Sequence, residues 1–409
     1  MDLARALEIV DSPVLLPGQS DETLLRQVTK AAAYVPSDKV LSPARGLGQG
    51  IRVRPVEALH QLSYVTKPRY LSNLLDFYAQ WALTRYAGFF DHRKNKPGTP
   101  ELVVSEAGRR IVGNQRRVTS EEMGIAFGAV LAIRWFQQAV TTRLPISIVD
   151  IDAALDDRYV FAGGAKHAVR KVNTNRPDYL LVGQHPSARR GYVLRTLECK
   201  GTKTRGNAVK QMAKALTQLG GISVGGEVPT GLATSVIAAD RLRYLALDPE
   251  GEDERSHVVD AGTIADVRGF RLTDEREWSP AALAAASVRA SWATLADFGG
   301  NRQAFETWAP TVMSERLDRQ PRARNEFETP YGRARGTSTT FTVAGQLLTV
   351  RYAINSAVDR ALEEGSPEAI IDTQAEFADG LPHEPVQRRG TGEAYSVSPD
   401  GSIFSLSLD

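Results

Sequence analysis

The stretch that most constrains the fold is residues 175–201, NRPDYLLVGQHPSARRGYVLRTLECKG. It carries two short β-type runs, Tyr179-Leu180-Leu181-Val182 and Tyr192-Val193-Leu194-Arg195-Thr196-Leu197. Between them, residues 183–191 form a polar linker containing Gly, Pro and Ser, a pattern that predicts a hairpin-like reversal. Side chains alternate along a strand, so Glu198 and Lys200 face one way, and Leu197 and Cys199 the other. The reversal brings Asp178, at the start of the first strand, to Glu198 and Lys200 at the end of the second. Two carboxylates and an ammonium are therefore expected at one sheet edge.

A hard divalent cation such as Mg²⁺ binds through one or two carboxylates and keeps several waters. It polarises a phosphoryl oxygen and acidifies water, while a neighbouring lysine orients that water or steadies developing charge. Asp178 and Glu198 are the candidate metal ligands, with Lys200 as third partner. Pro177-Asp178 followed by Glu198-Cys199-Lys200 resembles the motif of the PD-(D/E)xK nuclease superfamily, with Glu in the D/E slot. The resemblance implies an α/β restriction-endonuclease-like αβββαβ core. It also implies hydrolysis of phosphodiester bonds dependent on Mg²⁺ (or Mn²⁺), with DNA as the family's usual substrate.

The flanking pattern has the order such a core requires. Residues 119–142 are expected to form a capped apolar helix, and in the superfamily the first core helix commonly adds an acid to the site. Glu121 and Glu122 are the candidates, although Thr119-x-x-Glu122 also reads as a capping box. A β-type run follows at 146–152, with Asp150, Asp152, Asp156 and Asp157 as turn and surface acids. After Lys200 comes a helix over 207–219, where the family often turns a Lys or Gln toward the site. Gln211 is the catalytic candidate there, and Lys210 and Lys214 share a face at i, i+4. A further buried strand is expected over 230–246. The resemblance covers residues 119–247, about a third of the chain.

Basic residues surround the motif. Lys166, His167, Arg170, Lys171 and Arg176 lead into it, and Lys203, Arg205, Lys210 and Lys214 follow it. A polyanionic substrate selects such a surround, and a solvated surface explains it equally. Of these, Lys171, Arg176, Lys203, Arg205, Lys210 and Lys214 are the candidate nucleic-acid contacts.

At 409 residues the chain can hold two or three domains. The expected division is a helical N-terminal region over 1–100, the nuclease-like core over 101–250 and a small α+β accessory region over 251–409. In the first, 68–90 reads as a helix, and the glycine-rich 42–54 as a mobile loop lacking the Gly-Lys-Ser/Thr of a phosphate-cradling loop. In the last, 280–298 reads as a helix, 337–354 and 394–408 as hairpins, and the arginine-rich 320–336 as a linker or a nucleic-acid contact. One cysteine excludes an intramolecular disulfide, and six scattered histidines give zinc chemistry no support. With no apolar run near membrane-spanning length and no signal-like start, the expectation is a cytoplasmic protein without membrane contact. Analogy with the family suggests a restriction or anti-phage defence component, with other defence-system subunits or a second copy as partners. The alternatives are a catalytically inactive nucleic-acid-binding or assembly subunit of the same fold, and an accidental surface salt-bridge set.

Overall fold

The structure is a computed structural model. It describes residues 2–36, 39–66, 85–93, 98–140, 144–151, 160–162, 165–167, 176–185, 191–222, 228–249, 257–259, 262, 264, 280–309, 323–343, 345–382 and 392–408. Most of the expected helix over 68–90, and Lys171, lie outside these residues.

The fold is mixed α/β. Its central part opens with helix α1 (Gly113–Val140), followed by strands β1 (Ile146–Asp150), β2 (Tyr179–Gln184) and β3 (Gly191–Thr202). Helix α2 (Arg205–Leu219) leads on to β4 (Gly231–Ala238) and β5 (Leu242–Pro249). The meander β1–β2–β3 is antiparallel, with Tyr179 opposite both Asp150 and Leu197. Beyond α2 the chain re-enters parallel to β3, with Glu198 beside Ala233 and Lys200 beside Ser235. Parallel neighbours need a crossover, and α2 supplies it. The single strand expected over 230–246 is two antiparallel strands, β4 and β5, broken after Ala238. Two short strands, Gly18–Gln19 and Leu41–Pro43, pair with β5.

β2 and β4 are buried along their whole length because helices cover both faces. One apolar cluster joins Ala208, Met212, Ala215 and Leu219 of α2 to Ala233 and Ile237 of β4. By alternation Glu198, Lys200 and Ser235 lie on that same face. The opposite face carries Leu197, Cys199 and Gly201 under α1. Glycines let α1 sit close: a Cβ on Gly124 would come within 2.6 Å of the Lys200 carbonyl, and one on Gly128 within 2.6 Å of Cys199 Sγ. A Cβ on Gly201 would meet the Ser120 carbonyl at 1.7 Å.

Gly124→Ala is therefore expected to destabilise the fold by roughly 1–3 kcal/mol through overpacking against backbone. Gly206→Ala in α2, with open space around it, should stabilise slightly. Thermal melts of the two variants check this, and equal behaviour would contradict the close α1–β3 approach.

α1 starts at Gly113, so Thr119 and Glu122 sit inside the helix and no capping box forms at that point. The glycine-rich 42–54 is not a free loop either. Leu41–Pro43 and Ile51–Val53 are strands, and buried Arg54 pairs with Asp11 (2.9 Å) and Glu57 (3.3 Å), which withholds it from a phosphate backbone.

Toward the C-terminus, helix α3 (Pro280–Phe298) packs against a five-stranded sheet. Its strands are β6 (Asn325–Thr329), β7 (Gly332–Val343), β8 (Gln346–Asn355), β9 (Glu393–Val397) and β10 (Ser402–Leu408), in the order β6-β7-β8-β10-β9. Both expected hairpins are present, β7–β8 turning at Gly345 (φ 80°) and β9–β10 at Gly401 (φ 99°). One cluster of buried hydrophobic residues runs from Leu3 through α1 to Leu406. At its N- and C-terminal meeting point His60 Nδ1 lies 2.9 Å from Ser396 Oγ, and Gln61 donates to Ser398 Oγ at 3.0 Å.

Candidate active site

Regular pairing of β2 with β3 stops at Tyr179 and Leu197. One residue further, side chains take over from the ladder. The Asp178 N–H donates to Glu198 Oε2 (2.8 Å), and the Cys199 N–H donates to Asp178 Oδ2 (3.1 Å). Lys200, two residues along the same face, donates to Glu198 Oε1 and is ion-paired with it. The expected gathering of Asp178, Glu198 and Lys200 is thus present, held by backbone donors as well as by charge, and it lies where the β2–β3 ladder ends between interior strands and not at a sheet edge.

Burial sets the electrostatics. Glu198 is 0% exposed while the Lys200 side chain keeps 24% of its surface. Desolvation, with the neighbouring Asp178 charge added, pushes Glu198 up to about 8 against the pull of Lys200. Asp178 is raised too, chiefly by burial, with Lys200 and the Cys199 N–H opposing and Asp150 adding a smaller push. Lys200 is raised because Glu198 and Asp178 outweigh its own desolvation. One buried acid therefore holds its proton more tightly than a free carboxyl does, beside an ammonium that stays charged. Two carboxyls competing in this way are a place where a divalent cation can replace a proton.

The oxygen set fits such an ion. Among the described residues no three His, Cys, Asp or Glu side chains gather as a metal-holding group; the two carboxylates that meet at this point are Asp178 and Glu198. That suits Mg²⁺ or Mn²⁺, which keep waters, and not zinc, which takes three or four protein ligands. In a strand the N–H and C=O of one residue point to the same side, so the Cys199 carbonyl lies on the side of β3 from which Asp178 accepts the Cys199 N–H. The sequence did not flag it, because any residue type supplies a carbonyl.

The acids expected from α1 are not brought to this pair. Glu122 is bonded to Arg85 and to Tyr86 Oη, and burial raises its carboxyl against the pull of Arg85. Glu121 is exposed, although its Cα passes close to Gly201. Asp150, opposite Tyr179, is the nearer acid, and its charge is felt by Asp178.

Cys199 is buried beneath Gly128, with its thiol pushed up by burial and by the Asp178 charge; it is a core residue, as expected. On α2, Gln211 Nε2 lies 3.5 Å from the Gly201 carbonyl, and its buried Oε1 has no partner among the described residues. Further along the same helix face, Gln218 donates to the Arg176 carbonyl (3.3 Å), so α2 flanks the segment leading to Asp178. Lys203, Lys210 and Lys214 are exposed. Arg205 is exposed but held by Gln19 and by Gln27 (3.1 Å).

No helix among the described residues is long and apolar enough to cross a membrane. No family model, no curated protein and no solved structure matches this chain.

Proposed function

We propose that the chain is a metal-dependent nuclease of the PD-(D/E)xK type that hydrolyses phosphodiester bonds in DNA. The observation carrying this reading is the cluster of Asp178, Glu198 and Lys200, in which a buried carboxylate pair is clamped by backbone N–H groups next to a charged lysine. The order α1–β1–β2–β3–α2–β4, with β4 parallel to β3, supports it, since it is the element order of an αβββαβ core.

Asp178 and Glu198, with the Cys199 carbonyl, would hold one Mg²⁺ or Mn²⁺. When bound, the ion supplies Lewis-acid polarisation of a phosphoryl oxygen and makes water easier to deprotonate. Lys200 donates a hydrogen bond to the attacking water and opposes the negative charge that grows on the phosphoryl oxygens as the P–O bond breaks. The apolar walls under α1 and α2 keep this charge pair out of bulk solvent, which strengthens each interaction. Exposed Lys203, Lys210, Lys214 and Arg205 on α2 and the turn before it, with Arg176 just ahead of β2, would offer contacts to a phosphate backbone. A role in restriction or anti-phage defence rests on family analogy alone.

The test is incubation of purified protein with supercoiled and linear DNA in Mg²⁺, Mn²⁺ or EDTA. Cation-dependent nicking is the expected result. A salt-sensitive mobility shift with no cutting under any cation would favour a non-catalytic DNA-binding subunit instead, and neither result would leave the cluster a structural ion pair.

A further inference from the structure

Two buried oxygens on the elements next to Lys200, Ser235 Oγ and Gln211 Oε1, have no hydrogen-bond partner among the described residues. Ser235 is the register partner of Lys200 on the parallel neighbour β4 and shares its face, under α2. Its side chain is fully buried, and its Oγ has no hydrogen-bond partner among the described residues. Gln211 approaches from α2, its amide nitrogen at the Gly201 carbonyl and its Oε1 buried and equally unmatched. A buried acceptor left without a donor costs on the order of 1–3 kcal/mol, so such atoms call for an explanation. Lys200, on the same face as Ser235 and next in sequence to Gly201, carries three donors and no acceptor. In the present arrangement its ammonium leans back along the strand onto Glu198 Oε1.

That lean cannot persist once a cation occupies the carboxylates, because two positive charges would then compete for one oxygen. We propose that Ser235 Oγ and Gln211 Oε1 are the acceptors that receive the Lys200 ammonium when a divalent cation binds Asp178 and Glu198. The inference rests on the cation site proposed above and names two positioning residues for it. Released from Glu198 and held between β4 and α2, the ammonium stays within reach of the reacting phosphate without blocking the carboxylates. Ser235 carries no signal of this in the sequence; only the β3–β4 register identifies it.

The test is Mn²⁺ binding, followed by loss of the free-ion EPR signal, for Ser235→Ala and Gln211→Met, each made with Lys200 present and with Lys200→Met. With Lys200 present, each substitution is expected to weaken Mn²⁺ binding roughly three- to ten-fold, the worth of one hydrogen bond. With Lys200→Met neither should change the affinity, because no ammonium needs a new partner. Ser235→Thr, which keeps the hydroxyl, should bind like the unsubstituted protein. Equal losses in both backgrounds, or no loss in either, would overturn the proposal. Should Ser235→Ala fail to fold, Gln211→Met carries the comparison alone. Failure of the underlying site is separately visible: Mn²⁺ would then not bind the unsubstituted protein, or would bind Asp178→Ala just as well, and the inference would fall with it.

Discussion

Asp178→Ala is expected to abolish both cation binding and DNA cutting, whereas Lys200→Ala abolishes cutting and leaves the cation bound at least as tightly. The split follows from what each group does in the cluster. Asp178 contributes a carboxylate and accepts the Cys199 N–H, so its loss removes a ligand and loosens the junction of β2 and β3. Lys200 competes for Glu198 Oε1, so its removal frees that oxygen for an ion. On the proposed reading its contribution to cutting would be stabilisation of charge that develops during the reaction, an effect worth roughly 10²–10³ in rate. Initial nicking rates and Mn²⁺ titrations on the two variants separate the roles. Cutting that survives either substitution would move the chemistry elsewhere in the chain.

The second large effect lies in the pH dependence of stability. Glu198 binds its proton more tightly in the folded protein, pushed up to about 8 from the ordinary 4.5 of a free glutamate. The folded state therefore holds more protons than the unfolded state between those values, and ΔG of unfolding falls as pH rises through that window. The Glu198 contribution is fully present below about pH 4.5 and is lost as pH passes about 8, with a slope of at most about 1.4 kcal/mol per pH unit. Glu198→Gln keeps the shape and cannot ionise, so it should flatten that slope, at a cost of roughly 1–3 kcal/mol because its amide nitrogen then faces the Asp178 N–H or the Lys200 ammonium where a carboxylate oxygen accepts. The same substitution should cost most of the Mn²⁺ affinity, since an amide oxygen is a poorer ligand for a hard cation than a carboxylate. Denaturant melts across the pH range check the first part. A variant with the same pH slope as the unsubstituted protein would contradict the burial-driven rise at Glu198. In the unsubstituted protein Mn²⁺ binding should tighten as pH rises toward about 8, because the ion must displace the Glu198 proton.

The sequence made the core of this site legible because its information is local. Period-two alternation put Glu198 and Lys200 on one face and Cys199 on the other, and the β2–β3 reversal brought Asp178 to them. The turns at Gly345 and Gly401 were legible for the same reason, since short hairpins are set by the residues at the turn. What stayed hidden depends on tertiary pairing. Glu122 carries the right chemistry on the right helix, but Arg85 and Tyr86 occupy it, and no spacing rule announces that contact. The start of α1 was misread because Thr119-x-x-Glu122 imitates a cap inside a helix that begins at Gly113. The mobile loop expected over 42–54 is instead tied down by short strands and by Arg54 pairing with Asp11 and Glu57, contacts that no local pattern announces. Ser235, the Cys199 carbonyl and the position of Asp150 beside Asp178 follow only from strand register.

The most direct measurement is anomalous X-ray diffraction from crystals of the protein soaked in Mn²⁺. One strong peak in contact with the Asp178 and Glu198 carboxylates, with Lys200 withdrawn from Glu198, is the expected result. A peak elsewhere, or none while Lys200 still bridges Glu198, would contradict the assignment of this cluster as a metal-dependent active site.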